Sequence, residues 1–172
     1  QGSSATQVWL PLKAEGTKLS IPEYWESWSI ETVQPINMAE CGKPIESIAP
    51  LSSSNWKKTA NGQWSSNLKG SKLNASFYGT QIAITGESNP HGGYALVKIL
   101  DKEGQAASTQ LIDFYSKVNS DGIRYLSPVL PKNEYTVEIE VTGEQPVWYD
   151  KRKNRFGSDD YFVTVNDILV LE

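Results

Sequence analysis

Only one cysteine, Cys41, and one histidine, His91, occur in the 172 residues. A single cysteine cannot close an intrachain disulfide, so a disulfide framework is excluded and the compartment stays open. Any Ser-His-Asp triad would have to use His91, because no other histidine exists. The sequence has no G-x-S-x-G elbow, no H-E-x-x-H, no P-loop and no dinucleotide fingerprint. No run of about eighteen apolar residues is present, so membrane insertion is not expected. No basic-plus-apolar leader opens the chain, so a signal peptide is expected to have been removed or never to have existed. The net charge of −4 and pI near 5.1 lack the basic footprint of a nucleic-acid binder. The one local basic cluster, Lys151-Arg152-Lys153 with Arg155, is followed by Asp159-Asp160 and reads as a solvated loop.

Aromatic side chains are what the chain does have. Six tryptophans and eight tyrosines exceed the needs of a core this size. The length is that of one domain with room for an extension, large enough to bury a core without covalent staples. The many Ser, Asn and Gly residues suit a secreted, periplasmic or cell-surface module.

The alternation of polar and apolar residues is that of strands. Asn74 to Leu100 reads as two half-buried strands joined at Gly79-Thr80, a bulge or tight turn, then a polar loop, Gly86 to Gly93, then a third strand, Tyr94 to Leu100. Thr109–Tyr115, Gly122–Leu126, Tyr135–Val141 and Tyr161–Leu171 continue the pattern. In the third of these, Tyr135, Val137, Ile139 and Val141 face one way and Thr136, Glu138 and Glu140 the other. Asn166-Asp167 interrupts the last strand as a bulge does. Short strands at this spacing without a convincing helix predict an all-β sandwich or barrel.

Residues 1–50 are less regular and are taken as an N-terminal extension or edge strands, or part of a preceding domain; residues 51–172 are taken as the sandwich. Residues 1–6 look like a lead, and Gln7–Leu12 a strand that Pro11 confines to an edge. Ala14-Glu15-Gly16 reads as a turn, and Glu23–Val33 as strand or irregular structure. Trp9 is expected to be structural. Leu51–Asn55 (LSSSN) is either a linker before the sandwich or a surface crossover within one domain.

Antiparallel strands send successive connections to opposite ends of a sandwich. Gly86–Gly93, Ser116–Asp121 and Gly143–Asp160 should share one end, Asp101–Ser108 and Ser127–Glu134 the other. The first set carries His91, Asn89, Asn119, Trp148, Tyr149, Asn154 and Arg155, and recognition groups collect on loops held by a rigid scaffold. A pyranose offers an apolar face for Trp or Tyr and a rim of hydroxyls for Asn, Asp, Arg or His. The loop Trp148-Tyr149-Asp150 with Asn154 and Arg155 supplies both kinds of group. Trp148 either stacks on a ligand or folds back as a plug. Trp56 and Trp64 read as core or rim packing, and Glu138 and Glu140 as a solubilising strand face.

Several segments together resemble galactose-binding-like β-sandwich modules. They are Gly62-Gln63-Trp64, Ser76–Gly86 (SFYGTQIAITG), Gly92–Leu100 (GGYALVKIL), Leu126–Glu144 and Phe156–Val170. Such modules accompany bacterial glycoside hydrolases and carbohydrate esterases. The resemblance spans residues 56–172, departs at Asp101–Gly104 and at Asn133-Glu134-Tyr135, and specifies fold better than ligand. It implies an antiparallel jelly-roll fold and a structural calcium as an optional addition, for which Asp167 and Asp160 offer oxygen ligands. The expected function is a non-catalytic carbohydrate-binding module. It would hold an attached or neighbouring carbohydrate-active enzyme at a poly- or oligosaccharide and require no cofactor. The alternatives are a structural or protein-docking domain of a larger hydrolase and a small esterase or glycosidase.

Overall fold

The computed structural model describes residues 10–21, 23–25, 27–37, 42–52 and 54–171. The lead at residues 1–6, Trp9 and Cys41 fall outside this set. The chain divides into two compact units, Gln1–Cys41 and Gly42–Glu172.

The described part of the first unit consists of two small antiparallel ribbons. Strand β1 (Lys13–Glu15) pairs with β2 (Lys18–Ser20), and β3 (Trp28–Ser29) pairs with β4 (Gln34–Pro35). The turn in the first ribbon falls at Gly16-Thr17, one step later than the sequence suggests, because Gly16 supplies the positive φ. Leu10 to Leu12, the described part of the expected edge strand, is not extended into a ladder.

The second unit is all-β, with no helix among the described residues. Its strands are β5 (Gly42–Pro44), β6 (Ile48–Pro50), β7 (Lys57–Lys58), β8 (Trp64–Ser66), β9 (Lys72–Gly79), β10 (Gln81–Ser88), β11 (Tyr94–Leu100), β12 (Ala106–Asp113), β13 (Ser120–Leu126), β14 (Asn133–Val141), β15 (Val147–Tyr149), β16 (Arg155–Gly157) and β17 (Val163–Leu171). One sheet runs β13-β10-β17-β8-β7, with β5 also on β17; the other runs β12-β11-β14-β9-β6. A short ribbon, β15-β16, projects from the connection between β14 and β17.

One apolar core lies between the two sheets. Leu73, Phe77, Val97, Ile99, Val137 and Ile139 come from one side, and Ile82, Ile84, Tyr125, Val163, Val165 and Ile168 from the other. Strand β14 shows why. Its inward residues Tyr135, Val137, Ile139 and Val141 are buried on the period of two, and burying each such side chain contributes about 1.5–3 kcal/mol. Trp56 is buried in this core, and Trp64 packs against it with Lys58 over its ring.

Two expectations need correction. Gly79-Thr80 is not a hairpin turn, because β9 and β10 belong to different sheets. Thr80 alone separates them, too few residues for a hairpin, whose loops need at least two. The chain instead passes across the core edge, and Gly79 permits it: a Cβ there would sit 2.7 Å from Val170 Cγ1. Second, the outward face of β14 is not simply solvated. Glu138 is nearly buried, and the Lys72 ammonium bridges Glu138 at 2.9 Å and Glu140 at 3.4 Å. This pairing raises the Lys72 pKa, chiefly through its hydrogen bond to Glu138.

The compact unit begins at Gly42 rather than Leu51. Strand β5 pairs with β17 and β6 with β9, so residues 42–50 are edge strands of the sheets. Leu51–Asn55 is a crossover tied to the sheet edge. Leu51 N–H donates to Lys72 C=O, Ser54 Oγ accepts from Lys72 N–H, and Asn55 N–H donates to Ser71 Oγ. Serine hydroxyls satisfy backbone groups here, so a polar composition does not mean a free linker.

Candidate functional site

The register fixes which loops meet. Ser88, the end of β10, lies opposite Ser120 at the start of β13, while Glu87 lies opposite Thr164 near the start of β17. Tyr94, the start of β11, lies opposite Asp113, the end of β12. Residues 89–93, 114–119 and 142–162 therefore gather at one end of the sandwich, and the turns at 101–105 and 127–132 at the other, as strand parity requires.

Backbone bonds stitch the loop end together. Asn89 N–H donates to Phe114 C=O, Ser116 N–H to Asn89 C=O, Phe114 N–H to Gly93 C=O and Phe162 N–H to His91 C=O. Gly92 bridges Phe162, and Asn89 bridges Tyr115. The 89–93 loop is thus clamped between its two neighbours. Gly93 has to be small, since a Cβ would lie 2.6 Å from Tyr161 Cα.

Alternation in the β15-β16 ribbon sorts its side chains. Trp148 opposes Phe156, and Tyr149 opposes Arg155, so these pairs take opposite faces. Trp148 turns toward Tyr115, edge to face at 5.7 Å, and stacks on Phe156 at 6.4 Å. It is half-buried, while Tyr149 is 64% exposed. The ribbon turn is built by Asp150, which accepts from the backbone N–H of Arg152 and Asn154 and from Asn154 Nδ2. Those bonds, the Asn154 side chain first, hold its carboxyl below the ordinary 3.8. Arg155 reaches back to donate to Ser158 C=O.

His91 and Asp159 form an exposed pair, with Nδ1 2.6 Å from Oδ1. The Asp159 carboxyl is held below its ordinary value, by that hydrogen bond first and also by the charges of His91 and Arg155. Asn89 accepts from His91 N–H and donates to Glu87. At the rim Asp113 is pushed up by desolvation, although it accepts from Tyr115 N–H, and Tyr94 opposite is raised by burial and by Asp113 and Glu144.

The structure therefore joins Trp148 to Tyr115, His91 to Asp159, and Asn154 to Asp150. It makes no such link for Asn119, which is exposed on the neighbouring loop. It does not bring Asp167 and Asp160 together. Asp167 sits in the bulge of β17 against Thr85, and Asp160, seven residues earlier and outside the strand, accepts from Asn67. Among the described residues no group of three or more His, Cys, Asp or Glu is arranged to hold a metal. Sequence reading missed Tyr115, Phe156 and Asp159 as partners. Tyr115 follows core residue Phe114, so alternation would have turned it outward at the strand end.

No family model matches the chain, and no curated protein matches it. Among solved structures it is similar to a family two carbohydrate esterase from Cellvibrio japonicus, with 14% identity over 77% of this chain and 34% of that one, at a TM-score of 0.39. It is also similar to a two-domain esterase active on acetylated mannans, with 12% identity, 92% and 42% coverage, and a TM-score of 0.45. The form of that esterase co-crystallized with mannopentaose gives 14% identity, 75% and 37% coverage, and a TM-score of 0.42. The chain spans roughly a third to two-fifths of the length of these proteins.

Proposed function

We propose that the chain is a non-catalytic carbohydrate-binding module whose ligand lies on the loop end, with Tyr149 as the stacking surface. The observation that carries this is the division of labour in the β15-β16 ribbon. Trp148 anchors the ribbon on Tyr115, and the opposite face offers an exposed tyrosine ring beside Arg155. A flat ring held on an anchored ribbon costs little entropy to present, and sugar C–H faces stack on such rings. Asn154 stands at the same ribbon turn, and His91, Asn89 and Asn119 are polar groups on the neighbouring loops of the same end. Few groups are desolvated, so affinity should be on the order of micromolar to millimolar. The proposed setting is a secreted, periplasmic or cell-surface protein, with a catalytic domain attached or nearby.

The strand order supports a jelly roll of the galactose-binding-like kind. Numbering β8 to β14 and then β17 as one to eight, the sheets contain the orders 1-8-3-6 and 2-7-4-5. That interleaving is two Greek keys wrapped as a double sheet.

The rival reading is a structural or protein-docking domain. It is favoured by the exposed apolar side chains Leu12, Leu19, Ile21, Tyr24, Ile30 and Val33 in the first unit. The deciding experiment is titration with a panel of plant, algal and host glycans, read by intrinsic fluorescence. Saturable binding that weakens about tenfold in Tyr149→Ala, with an unchanged melting temperature, is the expected result. Trp148→Ala should weaken binding as well and cost about 1–3 kcal/mol of aromatic contact, while the sandwich still unfolds cooperatively, since Trp148 is not in its core. Silence across the panel would move the assignment to the docking reading.

A further inference from the structure

A recess lies on the outward face of the five-stranded sheet, at the opposite end from the loops. It is shallow and open to solvent, about 350 Å³ in volume, and is lined by Tyr78, Ser76, Thr136, Glu134, Asp101 and Lys102. That size is at the lower end of the ~300–1,000 Å³ range of small-ligand sites and suits a ligand of one or two rings. Its walls follow from register. Tyr78 opposes Glu134 and Ser76 opposes Thr136, so these four side chains project together from β9 and β14. Asp101 and Lys102 close the recess from the turn after β11.

The chemistry of the lining is selective. Tyr78 is 60% exposed, with the Lys132 ammonium 5.7 Å from its ring centroid. Lys102 pairs with Glu134 at 3.2 Å. Asp101 spends one oxygen on Gln105 N–H, leaving the other without a partner among the described residues. Ser76 and Thr136 hydroxyls lie 3.5 Å apart, a weak contact that leaves both able to bond elsewhere. The lining carries the carboxylates of Asp101 and Glu134 and the ammonium of Lys102, with the Lys132 ammonium over the Tyr78 ring beside it, so neither sign is in large excess. An aromatic face ringed by hydroxyls, a free carboxylate oxygen and ammonium donors fits a neutral polyhydroxylated ring.

We propose that this recess is a second carbohydrate subsite, built on Tyr78 and taking one or two rings of a neutral saccharide. It shares the ligand class of the loop-end reading but none of its residues, so either can stand without the other. Two sites at opposite ends would let one module bridge two chains, or two stretches of one chain, and gain avidity that neither weak site has alone.

The test is amide chemical-shift mapping of the whole chain titrated separately with mannopentaose, cellopentaose and xylopentaose. The expected result is saturable shifts at Tyr78, Asp101, Lys102 and Glu134 with at least one sugar. Those shifts should persist in Tyr149→Ala, weaken about tenfold in Tyr78→Ala and stay within about threefold in Tyr78→Phe, which keeps the ring. Tyr78 is exposed, so neither variant should disturb folding, and the rest of the spectrum reports that directly. Shifts confined to the loop end would overturn the subsite and leave the loop reading intact. Shifts confined to the recess would do the reverse. Absence of saturable shifts at these amides with all three sugars, or shifts indifferent to Tyr78→Ala, would overturn the proposal.

Discussion

Replacing Gly92 with alanine should open the loop end. The added Cβ would stand 1.9 Å from Phe114 O, 2.3 Å from its carbonyl carbon and 2.8 Å from Tyr115 N. All three are backbone atoms, so no side-chain rotation relieves the clash. Phe114 cannot retreat, because its ring is fully buried in the core. The 89–93 loop must therefore move off the end of β12 by more than an ångström. Three bonds would break: Asn89 N–H to Phe114 C=O, Phe114 N–H to Gly93 C=O and Ser116 N–H to Asn89 C=O. At about 0.5–1.5 kcal/mol each, the loss is about 1.5–4.5 kcal/mol. Gly104→Ala is the control. Gly104 has φ +77°, and a Cβ there would meet nothing within 4 Å, so the variant carries only left-handed strain, about 1 kcal/mol. Urea unfolding followed by circular dichroism would read both, with an unchanged slope showing that the unfolded state is the same. A Gly92→Ala protein no less stable than Gly104→Ala would refute the claim that the loop end is clamped by backbone contact.

Lys72→Met leaves Glu138, whose side chain is only 12% exposed, without its cation, and should cost about 1–3 kcal/mol in denaturant titration; an unchanged midpoint would mean that water replaces the ammonium. His91→Gln should let the Asp159 carboxyl titrate closer to 3.8, as read by its carboxyl carbon shift. The sign follows from a depressed folded pKa: the stabilisation is present above 3.8 and is lost as pH falls through the lower folded value. An unmoved midpoint would mean that the pair does not form in solution. Asp113→Asn should stabilise the protein at neutral pH, because desolvation raises this carboxyl and the charged form is the disfavoured one. The gain should vanish once the pH falls below 3.8, where the native acid is itself protonated, and a gain independent of pH would point to a different cause.

Much of the sandwich could be read from alternation. The period of two in Tyr135–Val141 is enforced by a core on one side only, so it survives in the sequence. The Asn166-Asp167 bulge was visible because two polar residues in a row break that period, and the register indeed shifts opposite Thr85. Loop parity needs only the strand count, and it placed Trp148, His91 and Asn89 at one end. What alternation cannot reveal is which sheet a strand joins. Gly79-Thr80 looks like a turn from either side, and only the pairing of β10 with β13 and β17 shows that the chain has changed layers. The partners at the site were equally hidden. His91 and Asp159 are 68 residues apart and meet because β10 and β17 are neighbours, a fact of topology rather than local pattern. Of the two readings of Leu51–Asn55 the surface crossover is the one found, since Ser54 Oγ accepts from Lys72 N–H and the polar composition does not loosen the chain.

The pairing of Leu171 with Gly42 has a mechanical consequence. The second unit begins and finishes on adjacent strands, about 5 Å apart, at the turn end. A force that pulls those two points apart loads the β5–β17 ladder like a zipper, opening its three residue pairs one after another. A force transmitted from the loop end instead runs lengthwise down many strands and must shear whole ladders at once. The unit should thus yield early when stretched between its own ends and resist strongly when held by its loops against a tether at the opposite end.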